Sequence, residues 1–142
     1  MQDTPTILHA EDDDGHALLV RNGLKKAGFH NCLVRFRDGQ EALDYFTGPD
    51  GIAVTSRVLM LDVRMPKFDG IEVLRRVRGI SDFDAMPVIM LTTSDDPGEK
   101  QRCLQLGCNF YLVKPVDARL LHSALCNLAG FFSPQESGAS AN

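Results

Sequence analysis

The chain has 142 residues, the length of one ordinary domain. Its hydrophobic content of 44% and charged content of 24% are typical of a soluble protein, and no apolar run approaches the roughly 18 residues that a membrane helix requires. The net charge of −4 argues against a nucleic-acid partner. Because the N-terminus also lacks the features of a signal peptide, we expect a cytoplasmic protein with no membrane partner.

The first part of the chain predicts a strand, a helix and a second strand. Residues 6–10 are a short apolar run that stops at the acidic residues 11–14. Apolar residues then recur at three- and four-residue spacing over 17–27, and Gly28 stands where a helix C-terminus is expected. Residues 32–36 predict the second strand.

The middle of the chain predicts two helices around a buried strand. Asp38 is placed to cap a short helix that carries apolar residues within 42–46. The continuous apolar run 58–61 ends in Asp62, a pattern typical of a strand buried on both faces. Apolar residues within 71–77 predict the next helix.

The last third of the chain predicts two more strands and two more helices. Residues 88–91 predict another buried strand, and Pro97 suits the first turn of a helix that Asp95 or Asp96 would cap. Residues 110–113 predict the fifth strand. Apolar residues then mark one face of a last helix: Leu120, Leu121, Ala124, Leu125 and Leu128.

Five strands that alternate with five helices predict an α/β fold. Its sheet is expected to be parallel and covered on both faces. The commonest topology for this count is the flavodoxin-like doubly wound sheet with strand order 2-1-3-4-5. In such sheets the functional crevice lies beyond the carboxyl ends of the strands.

Polar residues follow the predicted strands at that edge. They are Glu11, Asp12 and Asp13 after the first strand, Asp62 after the third, Thr92 after the fourth and Lys114 after the fifth. Clustered carboxylates repel one another unless a cation binds, and oxygen ligands favour Mg²⁺. An aspartate can attack phosphorus to give an acyl phosphate, which a lysine and a threonine hydroxyl would stabilise. The pattern therefore indicates a magnesium-dependent phosphoryl-transfer site, with Asp13 serving as a helix cap.

Four sequence blocks resemble the receiver domain of response regulators. Residues 7–13 resemble its first strand and acidic pair, and residues 59–70 resemble its L-L-D-x-x-M-P-x-x-D-G signature. Residues 87–92 and 111–115 resemble its remaining blocks, in the family's order. The resemblance extends from about residue 6 to residue 128 and implies a CheY-like, single-domain two-component regulator.

The resemblance also implies a metal site. Asp62 would be the phosphoacceptor, Asp12 a direct Mg²⁺ ligand and Glu11 a ligand through water. The backbone carbonyl of Arg64 would complete the protein ligands. The side chains of Arg64 and Ser94 flank the attacking-water path in this family, and we expect them to tune the lifetime of the acyl phosphate.

The same resemblance implies a switch. Thr92 and Lys114 would hold the phosphoryl group, and Thr92 would move inward on phosphorylation. The ring of Tyr111 would follow from an outward to an inward rotamer, as in a two-state element biased by local charge. The Lys114–Pro115 bond is expected to be cis. The domain would be a phosphoacceptor that promotes its own phosphotransfer and dephosphorylation, and not a turnover enzyme.

The C-terminal part of the sequence indicates how the domain could contact partner proteins. We expect a receiver domain over residues 1–132 and a flexible tail over 133–142, with output through protein contacts. Phe131 and Phe132 either pack back on the domain or anchor a homodimer. Three motifs, at residues 11–16, 38–44 and 91–93, combine with this aromatic end to resemble single-domain receivers that pair with phytochrome-like sensor histidine kinases. Such receivers tend to be homodimers.

Three other interpretations compete with this one. A haloacid-dehalogenase-type phosphatase needs an acid two residues after the nucleophile, where this chain has Arg64. A flavodoxin needs a phosphate loop after the first strand, where the acidic run would repel phosphate. The remaining alternative is a phosphorylation-independent binding module with the receiver fold.

Overall fold

A computed structural model of the chain describes residues 5–49 and 56–128. The strands within these ranges are β1 Thr6–Ala10, β2 Leu33–Phe36, β3 Arg57–Asp62, β4 Val88–Thr92 and β5 Phe110–Val113. The α-helices are α1 Asp14–Lys26, α2 Gly39–Thr47, α3 Gly70–Arg78, α4 Pro97–Gln105 and α5 Ala118–Cys126, with a 3₁₀ turn at Ser81–Phe83. None of the helices in the described ranges is long and apolar enough to cross a membrane.

The five strands form one parallel sheet in the order β2-β1-β3-β4-β5, so the predicted fold class and strand order are confirmed. At the centre, β1 pairs with β3 with Leu8 opposite Leu59, and β3 pairs with β4 with Leu61 opposite Met90. The carboxyl ends of all five strands consequently meet at one edge.

The core has two layers, one on each face of the sheet. Leu59 and Leu61 of β3 belong to the layer that α2 and α3 cover. Val58 and Met60 alternate with them and belong to the layer that α1 and α5 cover. Since all four side chains are fully buried, the prediction of a strand covered on both faces is confirmed.

Each of the five α-helices that the structure describes begins at an aspartate cap. The caps are Asp13, Asp38, Asp69, Asp96 and Asp117, and each side chain accepts a hydrogen bond from a backbone N–H of the first turn. The predicted capping role of Asp13 is confirmed by its 2.9 Å hydrogen bond from the backbone N–H of His16. Asp96, and not Asp95, caps α4.

Two local predictions, one for a peptide bond and one for a helix face, can be compared with the structure. The Lys114–Pro115 peptide bond is cis, as predicted. The prediction that Leu120 lies on one face with Leu121, Ala124, Leu125 and Leu128 is wrong, because Leu120 is 41% exposed whereas the other four are buried. Leu121 and Leu125 form that buried face, and Leu120 lies about 100° around the helix from Leu121.

The central strand provides a test of the fold. We predict that Leu59→Ala lowers the free energy of unfolding by about 3 kcal/mol, because it leaves a cavity in a closely packed layer. Leu18→Ala is the matched control, since Leu18 is exposed on α1, and should change stability by less than about 0.5 kcal/mol. Urea denaturation measures the free energy of unfolding of both variants, and an equal loss of stability in the two would contradict the two-layer core.

Candidate functional site

Three carboxylates converge at the carboxyl edge of the sheet. Glu11 and Asp12 follow β1, and Asp62 is the last residue of β3. One carboxylate oxygen from each lies within 4.8 Å of the others. Glu11 and Asp62 are buried, whereas Asp12 is exposed at the mouth of the pocket. The structure therefore brings together the three acidic side chains that the sequence placed at this edge.

A lysine that follows the edge strand β5 lies against these carboxylates. The Nζ of Lys114 is 2.6 Å from Oδ1 of Asp62 and 2.7 Å from Oε1 of Glu11. Burial acts to lower the pKa of Lys114, but hydrogen bonds and charge interactions with the two carboxylates outweigh it and raise the pKa. Lys114 therefore stays an ammonium that bridges β1 and β3 from the end of β5.

The charges in this pocket do not balance. Burial raises the pKa of Asp62 to about 6; the Lys114 hydrogen bond opposes that shift, and the negative charges of Glu11 and Asp12 add to it. A single ammonium thus faces three carboxylates. An oxygen-only donor set with excess negative charge fits a hard divalent cation better than a soft metal.

The segment between β3 and α3 folds tightly beneath Asp62. The backbone N–H of Gly70 donates a 2.7 Å hydrogen bond to the carbonyl of Val63. A Cβ at position 70 would overlap the carbonyl of Asp62, so a side chain there would displace Asp62. Lys67 turns this segment with a positive φ of 71°. The glycine at position 70 therefore allows the chain to pass close beneath Asp62.

Thr92 and Tyr111 lie beside the pocket and share one partner. Thr92 is fully buried at the end of β4, and its hydroxyl donates a 2.9 Å hydrogen bond to Oε2 of Glu99. The hydroxyl of Tyr111 donates to the same oxygen at 2.7 Å, and it lies 3.1 Å from the carbonyl of Ser94. The two side chains expected to form a switch are therefore joined through a carboxylate.

Sequence reasoning missed two residues of this site. Glu99 was not singled out, although it stands in the first turn of α4 and also pairs with Arg64 at 3.1 Å. His16 was given no role in the site, and its Nδ1 is 3.2 Å from Nζ of Lys114. Their only sequence signal is a position in the first turn of a helix that follows a strand of the sheet.

Phe131 and Phe132, expected to pack back or to form a dimer contact, lie outside the described residues.

A parallel sheet of this strand order, with an acidic pocket and a lysine at its carboxyl edge, defines the class of CheY-like receiver domains. The family model of the response regulator receiver domain matches residues 7–126. The chain belongs to the response regulator receiver domain family, in which phosphorylation-based signalling is the typical role.

Individual relatives agree with this assignment. A chemotaxis protein CheY homolog of Campylobacter jejuni is 30% identical over 124 residues, which cover 87% of this chain and 92% of the relative. The bacteriophytochrome response regulator AtBRR is 35% identical with a TM-score of 0.80, over 92% of this chain and 96% of its own. The Mn²⁺-bound form of response regulator Rcp1 is 27% identical with a TM-score of 0.75, over 88% and 95% of the two chains.

The raised pKa of Asp62 predicts a pH-dependent effect of removing its charge. Below its ordinary pKa of 3.8 the carboxyl is protonated in both states, and as pH rises through about 6 its ionisation destabilises the fold. Asp62→Asn should therefore raise the free energy of unfolding by about 1 kcal/mol at pH 7.5 without divalent metal, after allowance for solvent screening. This gain should largely disappear near pH 4.

Urea denaturation in the presence of a chelator measures the effect. Asp82→Asn is the control, because Asp82 is exposed and lies outside the acidic pocket. A stability gain for Asp62→Asn of the same size at both pH values, or a loss at pH 7.5, would contradict the electrostatic account of the pocket.

Proposed function

We propose that this chain is a two-component response regulator that accepts a phosphoryl group on Asp62 from a sensor histidine kinase. The observation that carries the proposal is the position of Asp62. Its buried carboxylate ends the central strand, lies 2.6 Å from the Lys114 ammonium and belongs to a group of three carboxylates. An acid in this position is an oxygen nucleophile beside groups that can neutralise incoming phosphate charge.

The proposed reaction is one phosphoryl transfer. A carboxylate oxygen of Asp62 forms a bond to phosphorus, and the bond from phosphorus to the donor nitrogen or oxygen breaks, with its electron pair leaving on the donor. Lys114 then neutralises part of the roughly two negative charges that the phosphoryl group brings. The hydroxyl of Thr92 donates a hydrogen bond to a phosphoryl oxygen. The ring of Tyr111 then turns inward as Thr92 moves, and this change alters the surface used for protein–protein signalling.

The metal of this site is proposed to be Mg²⁺. Glu11, Asp12, Asp62 and the backbone carbonyl of Arg64 would hold it, and the bound ion would supply positive charge to the acyl-phosphate oxygens. The three carboxylates and the raised pKa of Asp62 support this ligand set. The Mn²⁺-bound form of the related regulator Rcp1 supports a divalent cation in such a pocket.

The partners are inferred from the relatives and the charge. AtBRR is a bacteriophytochrome response regulator, which supports a phytochrome-like sensor histidine kinase as the phosphoryl donor. The net charge of −4 supports a role without nucleic acid. We place the receiver domain at residues 1–132 and a C-terminal tail at 133–142, in a cytoplasmic protein that does not act on a membrane. The domain serves as a phosphoacceptor and not as a turnover enzyme.

A phosphorylation-independent binding module is the second candidate, and the pocket does not favour it. Such a module has no need of a buried acid beside a lysine and two further carboxylates. Because removing charges from water is costly even when they are paired, a chain without phosphoryl chemistry would gain stability by replacing these groups with apolar ones. The intact acceptor, lysine and threonine therefore favour the phosphorylated regulator.

Intact-mass measurement tests the acceptor. After incubation with acetyl phosphate and Mg²⁺, followed by acid quenching, the wild type should gain the mass of one phosphoryl group and Asp62→Asn should gain none. Asp82→Asn, in which an exposed aspartate is changed, should behave as the wild type. The absence of a gain in wild type under these conditions would favour the phosphorylation-independent module.

We also propose that Phe131 and Phe132 anchor a homodimer. Light scattering should then give twice the 15.7 kDa mass of one chain, with and without beryllofluoride as a phosphoryl mimic. Replacement of both phenylalanines by serine should give the monomer mass, because aromatic anchors contribute much of the binding energy at interfaces. Leu104→Ser is the control, since Leu104 is an exposed apolar residue on α4. A monomeric wild type would show that the pair does not form a dimer contact.

A further inference from the structure

The carboxylate of Glu99 joins three segments of the chain around the acidic pocket. It projects from the first turn of α4, and its side chain is only 10% exposed. Its Oε2 accepts hydrogen bonds from the hydroxyls of Thr92 and Tyr111, and its Oε1 pairs with Nη2 of Arg64. These partners come from β4, from β5 and from the segment that follows Asp62.

The hydroxyl of Thr92 has no second proton to donate. It gives its single O–H to Glu99 at 2.9 Å and accepts a 3.1 Å hydrogen bond from the backbone N–H of Ser94. In this arrangement Thr92 cannot also donate to a phosphoryl group on Asp62. Phosphorylation as proposed above therefore requires that Thr92 leave Glu99.

Tyr111 is held by the same oxygen. Its hydroxyl is closer to Glu99, at 2.7 Å, than to the carbonyl of Ser94, at 3.1 Å, so its proton is directed to the carboxylate. Burial and then the Glu99 hydrogen bond raise the pKa of Tyr111. The positions of Thr92 and Tyr111 are consequently coupled through one carboxylate.

The guanidinium of Arg64 provides a positive charge beside the Glu99 carboxylate. Its guanidinium lies 3.1 Å from Oε1 of Glu99 and extends from a position two residues after Asp62. A phosphoryl group on Asp62 would bring new anionic oxygens close to both Arg64 and Thr92. Glu99 and a phosphoryl group would then compete for the same two donors.

We propose that Glu99 is a positioning residue that holds Thr92 and Tyr111 in the unphosphorylated arrangement and sets the barrier to phosphorylation. The proposal rests on the proposed function of Asp62 as acceptor. Phosphorylation transfers the Thr92 hydrogen bond from Glu99 to the phosphoryl group, and Tyr111 then leaves Glu99 as its ring turns toward the position that Thr92 has left. The strength of the Glu99 contacts fixes how readily this exchange occurs.

The kinetic test compares two isosteric substitutions. Glu99→Gln keeps the shape of the side chain but removes the charge, which weakens both hydroxyl contacts and the Arg64 pair. We expect phosphorylation by acetyl phosphate with Mg²⁺ to be about tenfold faster, since hydrogen bonds to a charged acceptor are stronger than those to a neutral one. Structural damage would instead slow the reaction. Glu72→Gln is the matched control, because Glu72 holds the equivalent first-turn position of α3 and also pairs with arginines.

A double-mutant cycle separates the Thr92 contact from a general effect of charge. Removal of one carboxylate charge could also favour the approach of anionic acetyl phosphate without any release of Thr92. Glu99→Gln should accelerate the wild type but not the Thr92→Val variant if its effect acts through the Thr92 hydroxyl. Equal acceleration in both backgrounds would assign the effect to charge alone and overturn the proposal.

Tyrosine fluorescence gives a readout that needs no phosphorylation. The chain contains no tryptophan and two tyrosines, so a Tyr45→Phe background leaves Tyr111 as the only strong emitter. A hydrogen bond to a carboxylate quenches phenol emission. Glu99→Gln should therefore brighten Tyr111 in the resting protein, and beryllofluoride with Mg²⁺ should brighten it when Glu99 is present.

The outcomes distinguish this inference from the proposed function. In one outcome the wild type is phosphorylated on Asp62 while Glu99→Gln is phosphorylated at the same rate or more slowly. That result would overturn the role of Glu99 and leave Asp62 as the acceptor. Unchanged Tyr111 emission on substitution of Glu99 would do the same. A wild type that is never phosphorylated would reject the proposed function and, with it, the role of Glu99 in setting the barrier.

Discussion

The bridge from Lys114 to Glu11 and Asp62 is the interaction on which the site depends. With Nζ 2.7 Å from one carboxylate and 2.6 Å from the other, the ammonium allows two buried acids to remain close. It does not neutralise the pocket, because Asp12 adds a third carboxylate and the pKa of Asp62 stays raised to about 6. The bridge thus keeps the acids together, while the uncompensated charge gives the pocket its affinity for further positive charge.

The sheet order explains why a lysine performs this role. Glu11 follows β1 and Asp62 ends β3, and these two strands are neighbours at the centre of the sheet. β5 is separated from β3 by β4, so a group at the end of β5 has to reach past the end of β4. The long, flexible side chain of lysine spans this distance and still delivers a compact charge. Thr92 at the end of β4 occupies the intervening position, where its hydroxyl lies between the pocket and Glu99.

Sequence reasoning succeeded where local chemistry determines the structure. The continuous apolar run of β3, the capping by Asp13 and the edge position of Asp62 follow from burial on both faces of the sheet, helix ends and parallel topology. It failed where the result depends on how a helix is rotated against the sheet. Leu120 fits an apolar stripe in the sequence but lies outside the packed face, and Glu99 enters the site only through the direction in which α4 leaves β4. A single sequence does not specify such orientations.

Chemical mapping of the acyl phosphate is the most direct test of the account. An aspartyl phosphate is reduced by borohydride to homoserine, whereas phosphate esters of serine or threonine are not. The protein treated with acetyl phosphate and Mg²⁺ would be reduced, digested and examined by peptide mass spectrometry. The account predicts homoserine at position 62 and at no other aspartate, because Asp62 is the only aspartate within residues 5–49 and 56–128 that is both buried at a strand end and bridged to Lys114. Homoserine at Asp12 with none at position 62 would contradict it.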